Sequence, residues 1–416
     1  MNIGILSTRL AGLDGVSLEA TKVANILAEM GHNIFWCAGE LDESKTPGRL
    51  IPEMHFMHPT ARAIHDEAFS GPYASPALVE RIYDEADKLR LALLDFVQEF
   101  DIDLLVSQNS NSIPMNIQLG VALTHLAKRH GVNLLCHNHD FYFERDRFIA
   151  NGIQFILDEA FPPVLPNVRH MVINVAMQRR IKSFKGIDAL YLPNVFDYDN
   201  PPPTPDDYAM TFREEVGLSK NDIIALQATR LIRRKGIEKA IELIHKLDDD
   251  LVVLVFTGTG KKDEGEGYGE WLRDMADRYQ IRYLFIGDYL DEARGTRDGH
   301  KVFSLWDVYP HARFITYPSI YEGFGNALLE TLYFRKPLVV NRYPMYLTDI
   351  KPTGIQAVEF DYDITDDTIA QTRRLIEDDA WVATMVNHNY QVASRHFSYS
   401  VLKSKLRKAL ESFTDD

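Results

Sequence analysis

YPSIYEGFGNALLETLYFRKPLVV, residues Tyr317–Val340, reads as a strand end, a turn, a helix, a stop and a second strand. Glu322 and Glu330 stand eight positions apart, and Gly323-Phe324-Gly325 falls where the helix would begin. A Gly-rich turn feeding a helix N-terminus attracts anions, because backbone N–H groups without helical partners and the helix dipole both favour negative charge. Carboxylates around such a turn accept hydrogen bonds from hydroxyl groups. An anionic, hydroxyl-rich ligand is expected there.

The 416 residues exceed one compact core and suit two domains. With 45% hydrophobic and 25% charged residues, the composition is that of a soluble globular protein. The net charge of −15 disfavours nucleic acid or an anionic membrane as the main partner. An anionic ligand must then be caught by local Arg and Lys. Cys37 and Cys136 each end an apolar run, the pattern of buried thiols in a reducing compartment rather than of a disulfide or zinc framework. MNIGILSTRL has no basic leader and no long apolar region, so no signal peptide is expected. No run approaches the ~20 apolar residues of a membrane span. A cytoplasmic protein without stable membrane insertion is expected, and a homo-oligomer stays open.

Short apolar runs alternate with helical patterns along the first half. Strands are expected at Asn2–Ser7, Asn33–Cys37, Asp103–Ser107, Val132–Cys136, His170–Asn174 and Asp188–Leu192. Helices are expected at Val16–Met30, Ala77–Phe100, Pro114–Arg129 and Ala176–Phe184, the last continuing as a basic amphipathic stretch to Gly186. Leu41–Ala77 reads as irregular and long for a loop, hence functional or an added subdomain. A break follows Leu192-Pro193-Asn194-Val195, where Pro201-Pro202-Pro203 excludes helix and strand. The second half alternates again, with strands at Ile223–Ala228, Leu251–Thr257, Arg282–Gly287, Phe314–Tyr317 and Leu338–Asn341. Its helices are expected at Gly236–Leu247, Tyr268–Tyr279, Val302–Tyr309, Asp379–His396 and Tyr399–Phe413. Glu264–Gly269 and Asp288–His300 are charged loops expected to be mobile. The fold class is α/β, two doubly wound Rossmann-like domains in tandem facing a cleft.

Ligands of open α/β sheets sit where strand ends feed helices. Residues 228–236, ATRLIRRKG, place four cations within six positions after a strand. Arg230 and Lys235 lie at the two ends of that loop and are placed to flank one diphosphate, while Arg233 and Arg234 are expected to face solvent. In the first half, Gly12 and Gly15 border Asp14, which reads equally as a ligand residue and as a helix cap. His137-Asn138-His139-Asp140 follows another strand, without the further Cys or His of a zinc site. Tyr142, Arg145 and Arg147 come next, either as an anion site or as surface charges. Asn109-Ser110-Asn111 offers groups for sugar hydroxyls, and Asp101-Ile102-Asp103, a DxD by letter, lies at the wrong end of its strand to bind a ligand.

These pieces resemble the GT-B retaining glycosyltransferases of family 4: Arg230…Lys235-Gly236, Glu322-Gly323-Phe324-Gly325…Glu330 as E-x7-E, the Pro193-Asn194-Val195 link, and a last helix after Phe397-Ser398. The resemblance implies an acceptor domain at 1–195, a nucleotide-sugar domain at 196–396, and residues 397–416 as a helix packing back on the first domain. It implies transfer of glucose or mannose from a nucleotide diphosphate sugar to a small acceptor, without a metal or other cofactor. Catalytic roles fall on His139, Glu322, Arg230 and Lys235, with His137 as the alternative histidine. Donor contacts fall on Gly15, Arg230, Lys235, Glu322, Gly323, Phe324, Gly325, Asn326 and Glu330, with Glu322 on sugar hydroxyls and Glu330 on the ribose diol. Acceptor contacts fall on Asn109, His137, Asp140, Arg145 and Arg147. HNHDFYFERDRF, residues 137–148, is similar to members acting on small phosphorylated acceptors, such as mannosylglucosyl-phosphoglycerate synthases. A lipid-linked or polysaccharide acceptor, an epimerase and a phosphorylase are the alternatives. A nicotinamide dehydrogenase would need a G-x-G-x-x-G loop that the first strand lacks.

Overall fold

The computed structural model describes residues 1–12, 14–259 and 267–413. The chain divides into two compact units: Met1–Asn194 with Tyr399–Asp416, and Val195–Ser398.

Among the described residues the first unit carries a seven-stranded parallel sheet. Its strands are β1 (Asn2–Ser7), β2 (Asn33–Ala38), β3 (Gly48–Leu50), β4 (Leu104–Gln108), β5 (Asn133–Asn138), β6 (Val168–Val172) and β7 (Leu190–Tyr191). The spatial order is β3-β2-β1-β4-β5-β6-β7. A parallel sheet is covered on both faces, so its strands are apolar runs rather than alternating ones. LLVSQ of β4 is buried at every position for that reason. Helices Gly15–Glu29, Pro76–Glu99 and Ile117–His130 are among those covering the sheet, and the last helix, Tyr399–Glu411, packs against Gly15–Glu29.

The second unit repeats the plan. Its strands are β8 (Ile223–Gln227), β9 (Val252–Phe256), β10 (Arg282–Phe285), β11 (Gly295–Arg297), β12 (His300–Val302), β13 (Ala312–Tyr317), β14 (Leu338–Asn341) and β15 (Val358–Phe360). Six form a parallel sheet ordered β10-β9-β8-β13-β14-β15, and β11 and β12 make a small hairpin. In each large sheet the order reverses once, at β1/β4 and at β8/β13. Such switch points open a crevice at the carboxyl ends of the strands.

Four expectations need correction. Leu41–Ala77 is not irregular: it holds β3, a single turn at Pro52–Met54 and a helix at Pro59–Ala68. That helix buries only Ala61, Ile64 and Ala68, too little apolar surface to imprint a clear period. Asp288–His300 contains the first arm of the hairpin, braced by Arg294 pairing with Asp206 and Asp307. Strand β15 and helix Asp366–Glu377, the latter capped by Thr365, were not anticipated. Val302–Tyr309 shortens to a helix at Leu305–Val308, because Val302 completes β12. The Glu264–Gly269 loop falls largely outside the described residues.

Gly120 faces Phe161 so closely that an added Cβ would lie 2.1 Å from the ring. Both residues belong to the packed interior of the first unit, where Phe161 is fully buried. Gly120→Ala should therefore lower stability by about 1–3 kcal/mol through overpacking, read as a lower urea midpoint at unchanged m-value.

Candidate functional site

In the second unit the β8/β13 crevice brings two loops together. The loop after β8 makes one tight turn, Arg233–Lys235, and ends at Gly236 in the left-handed region, φ +57°. The loop after β13 passes directly over it: a Cβ on Gly236 would lie 2.5 Å from the Pro318 carbonyl oxygen. Ile320 N–H donates to the Arg234 carbonyl at 2.9 Å, which ties the loops backbone to backbone.

Glu322 is the centre of this crevice. Its Oε1 accepts from the Lys235 ammonium, from Ser319 Oγ at 2.7 Å and from the Tyr317 hydroxyl at 3.1 Å. Its Oε2 accepts from Arg234 Nη1 at 2.8 Å. Four donors around one carboxylate fit only its ionised form. Burial pushes the Glu322 carboxyl up, but Lys235 and Arg234 outweigh that and hold it below the ordinary value. Burial pulls Lys235 down, and Glu322 draws it back toward the charged form.

Arg234 therefore does not simply face solvent, as expected. Its stem is half exposed, yet its guanidinium reaches inward to Glu322 and to the Tyr321 carbonyl. Arg233 does point outward and lies over the rings of Tyr268 and Trp271. Arg230 is exposed at the start of the loop.

Helix Asn326–Tyr333 begins just beyond Glu322. Gly325 is its N-cap, with φ +119°, and supplies no side-chain oxygen to the first N–H groups. A Cβ there would lie 2.9 Å from both the Tyr317 and Tyr343 hydroxyls. Tyr343 in turn donates to the Phe324 carbonyl at 3.2 Å. The Phe324 ring is buried against Phe397, so this residue contributes backbone only. Gly323 and Asn326 flank the turn. One turn into the helix, Glu330 accepts from Trp306 Nε1 at 2.8 Å and Tyr309 Oη at 3.0 Å. Neither aromatic partner was foreseen. Their only signal was an apolar run read as a short helix.

In the first unit, Gly15 opens helix Gly15–Glu29, with open space beside its Cα. Asp14 caps that helix, accepting from Val16 N and Ser17 N. It also borders a cavity of ≈ 260 Å³, together with Arg9, Gln108 and Asn109. This cavity lies at the β1/β4 crevice.

The expected acceptor residues form a closed network beside it. Asn109, at φ +61°, donates to Asp140 Oδ1 at 2.9 Å and accepts from His139 N at 2.9 Å. Arg145 Nε donates to Asp140 Oδ2 at 3.1 Å. Arg147 stacks on Phe148 and sets Nη2 3.2 Å from Met115 Sδ. His137 departs from its expected position. It is 2% exposed, lies behind Gln108 with Nδ1 2.9 Å from Gln108 Oε1, and does not line the cavity. His139 Nε2 approaches the same oxygen at 3.4 Å. Burial lowers His139 to about 4, against the opposing pull of Asp140 and Asp14, so the ring is neutral at pH 7. Asp103 accepts from Asn2 N, which confirms the structural reading of the DxD triplet.

Two doubly wound units, each with polar side chains at its switch point, define a GT-B glycosyltransferase architecture. A sucrose-phosphate synthase from Thermosynechococcus elongatus shares the fold at TM-score 0.69 and 14% identity, over 100% of this chain and 99% of that one. Residues 210–391 match the family model for glycosyl transferases group 1. Mannosylglucosylglycerate synthase from Thermotoga maritima is 32% identical over 98% of this chain and 99% of its own. The protein of the same name from Petrotoga mobilis is 33% identical over 86% of each chain. The chain belongs to the glycosyl transferases group 1 family.

Glu322→Gln removes the carboxylate that pairs with buried Lys235 and should cost about 3–5 kcal/mol, as breaking a buried ion pair does. A chemical-denaturation series measures it; an unchanged midpoint would contradict the anchoring role.

Burial also lowers His137, and it lowers His170 to about 4. Below the unfolded value of about 6.5 the unfolded chain binds protons that these rings refuse in the native state, so stability must fall as pH drops from there toward 4. At pH 5.5, unfolding should take up roughly one proton for each of His137, His139 and His170. His139→Gln should remove one of them, measured calorimetrically in buffers of differing ionisation enthalpy.

Proposed function

We propose that this chain is a retaining hexosyltransferase that moves mannose from a nucleotide diphosphate sugar to a hydroxyl of glucosylglycerate or a closely similar small acid. The observation that carries the reading is Glu322 holding Lys235 and Arg234 in the β8/β13 crevice, directly before a helix N-terminus without a side-chain cap. The name shared by the full-length relatives supports the choice of sugar and acceptor. That name carries glycerate without a phosphate, which favours a carboxylate acceptor over the phosphorylated one first expected.

In this reading the bond from sugar C1 to the β-phosphate oxygen breaks as the acceptor oxygen bonds to C1 on the same face. The acceptor's proton passes to the leaving phosphate. Lys235, Arg230 and Arg234, with the N–H groups at Gly323–Asn326, neutralise the charge that grows on the diphosphate. Cationic side chains fill the role that a metal ion has in other transferases. Glu322 Oε1 is occupied by three donors, so sugar hydroxyls are left Oε2. Glu330, oriented by Trp306 and Tyr309, takes the ribose diol. His139, being neutral, offers a substrate hydroxyl a hydrogen bond rather than a charge.

Lys235→Ala should abolish transfer, and Arg234→Ala should reduce kcat/KM about 10- to 100-fold, the scale of one hydrogen bond to a charged group. Transfer of radiolabelled mannose from GDP-mannose and UDP-activated sugars to glucosylglycerate measures both. Full activity in Lys235→Ala would remove the diphosphate assignment. Full activity in Arg234→Ala would return that residue to the solvent-facing role.

A further inference from the structure

The crevice of the first unit holds an asymmetry that the closed network around Asp140 does not explain. Gln108 ends β4 and Gln227 ends β8, each on a strand beside its sheet's switch point. Both are fully buried. Gln227 is satisfied at each end: its Nε2 donates to Thr229 Oγ1 at 2.7 Å, and its Oε1 accepts from Thr316 Oγ1 at 2.7 Å. Gln108 is satisfied at one end only. Its Oε1 serves His137 and His139, while its Nε2 has no partner among the described residues. A buried N–H without an acceptor is costly. This one belongs to a residue of the cavity wall.

The other polar groups of that wall sort by what they still offer. Asp14 is spent as an acceptor: Oδ1 takes Val16 N and Ser17 N, and Oδ2 takes Ser17 Oγ and Arg9 Nη2. The Asn109 side chain is engaged at both ends by Asp140 and His139. Ser7 Oγ gives its proton to the Gln108 carbonyl. Arg9 has five guanidinium N–H groups and is half exposed at the wall, and Asp14 engages it through Nη2. Apart from the Thr8 hydroxyl, which both donates and accepts, the groups that remain are the donors Arg9 and Gln108 Nε2, which a group rich in acceptors matches. Val16, Phe56, Ile113 and Met115 supply an apolar side to the same cavity. Its ≈ 260 Å³ lies below the range of pockets that enclose drug-sized ligands, so the ligand group is small.

We propose that the β1/β4 crevice is the subsite for the carboxylate of a small hydroxy acid, held by Arg9 and by Gln108 Nε2; the assignment of that acid as the acceptor rests on the transferase reading above. Arg9 is paired with Asp14, so the crevice has no surplus positive charge, and a phosphate dianion would leave more uncompensated charge there than one carboxylate. Arg9 thereby takes the anion-anchoring role expected of Arg145, whose guanidinium is held by Asp140.

The test is calorimetric titration of the full chain with three probes: glucosylglycerate, its carboxamide and its phosphorylated form. Wild type should bind the carboxylate about 10- to 100-fold tighter than the carboxamide, the worth of a charge-assisted hydrogen bond. Arg9→Gln should erase that preference, Arg9→Lys should restore part of it, and Gln108→Glu should reverse it. Equal binding of carboxylate and carboxamide by wild type, or an undiminished preference in Arg9→Gln, overturns the proposal. Tighter binding of the phosphorylated probe overturns the monoanion assignment. A thermal-shift titration with GDP-mannose on the same variants keeps the two readings apart. Donor binding that survives Arg9→Gln while acid binding is lost supports both, and wild type that binds the acid but no nucleotide sugar removes the transferase reading alone.

Discussion

The buried ion pair between Lys235 and Glu322 is the constraint on which the second unit's chemistry rests. A lysine taken out of water tends to lose its proton, since burial penalises the ammonium. Glu322 opposes that tendency from hydrogen-bond distance, and Ser319 and Tyr317 fix the carboxylate in turn. The positive charge is thus held in place before any ligand arrives. Ordering cationic side chains around a leaving group costs free energy at the moment of binding unless the fold has already done it. Here much of that ordering belongs to the fold. The Arg234–Ile320 backbone bond and the close seating of Gly236 on Pro318 allow the two loops little play.

The same topology is used differently in the two units. Each sheet reverses its strand order once, and each reversal presents a glutamine at a strand end. At β8 the glutamine is internally satisfied, and the work falls on the loop cations beyond it. At β4 the glutamine is shared with two neutral histidines and keeps one donor unspent. One crevice is therefore built around net positive charge and the other around neutral donors with a compensated arginine. In the proposed reading, that difference suits the second unit to a diphosphate and the first to a small acid without any difference in fold.

The alternation of buried strands and long helices was legible because parallel strands covered on both faces are unbroken apolar runs, and Asn2–Ser7 and Leu338–Asn341 fall where their residues place them. Elements held by backbone pairing or by few apolar contacts were not: β3 pairs with β2 while leaving Leu50 exposed, and Pro59–Ala68 buries three small or medium side chains. Within the site, the residue types were legible and their partners were not. Arg234 and Glu322 are 88 positions apart, and only the register of β8 against β13 brings their loops together. Arg9 was passed over because its neighbours, Gly12 and Gly15, dominate the loop. Its position in a cavity wall depends on β4, which is distant in sequence.

The acidity of the whole chain sharpens this division. A protein of net charge −15 repels anions at long range, so attraction must come from short-range, partly buried cations that salt and solvent screen weakly. Around Glu322, three cations, Arg230, Arg234 and Lys235, stand against one carboxylate and leave a surplus of two, the charge that a nucleotide diphosphate sugar brings. Around Asp14 the surplus is nil, since Arg9 only offsets the carboxylate, and what remains to meet a ligand is N–H groups of Arg9 and Gln108. In the proposed reading the second crevice alone meets the donor's charge, and misplacement of the donor in the first crevice is opposed by both its small volume and its lack of surplus positive charge.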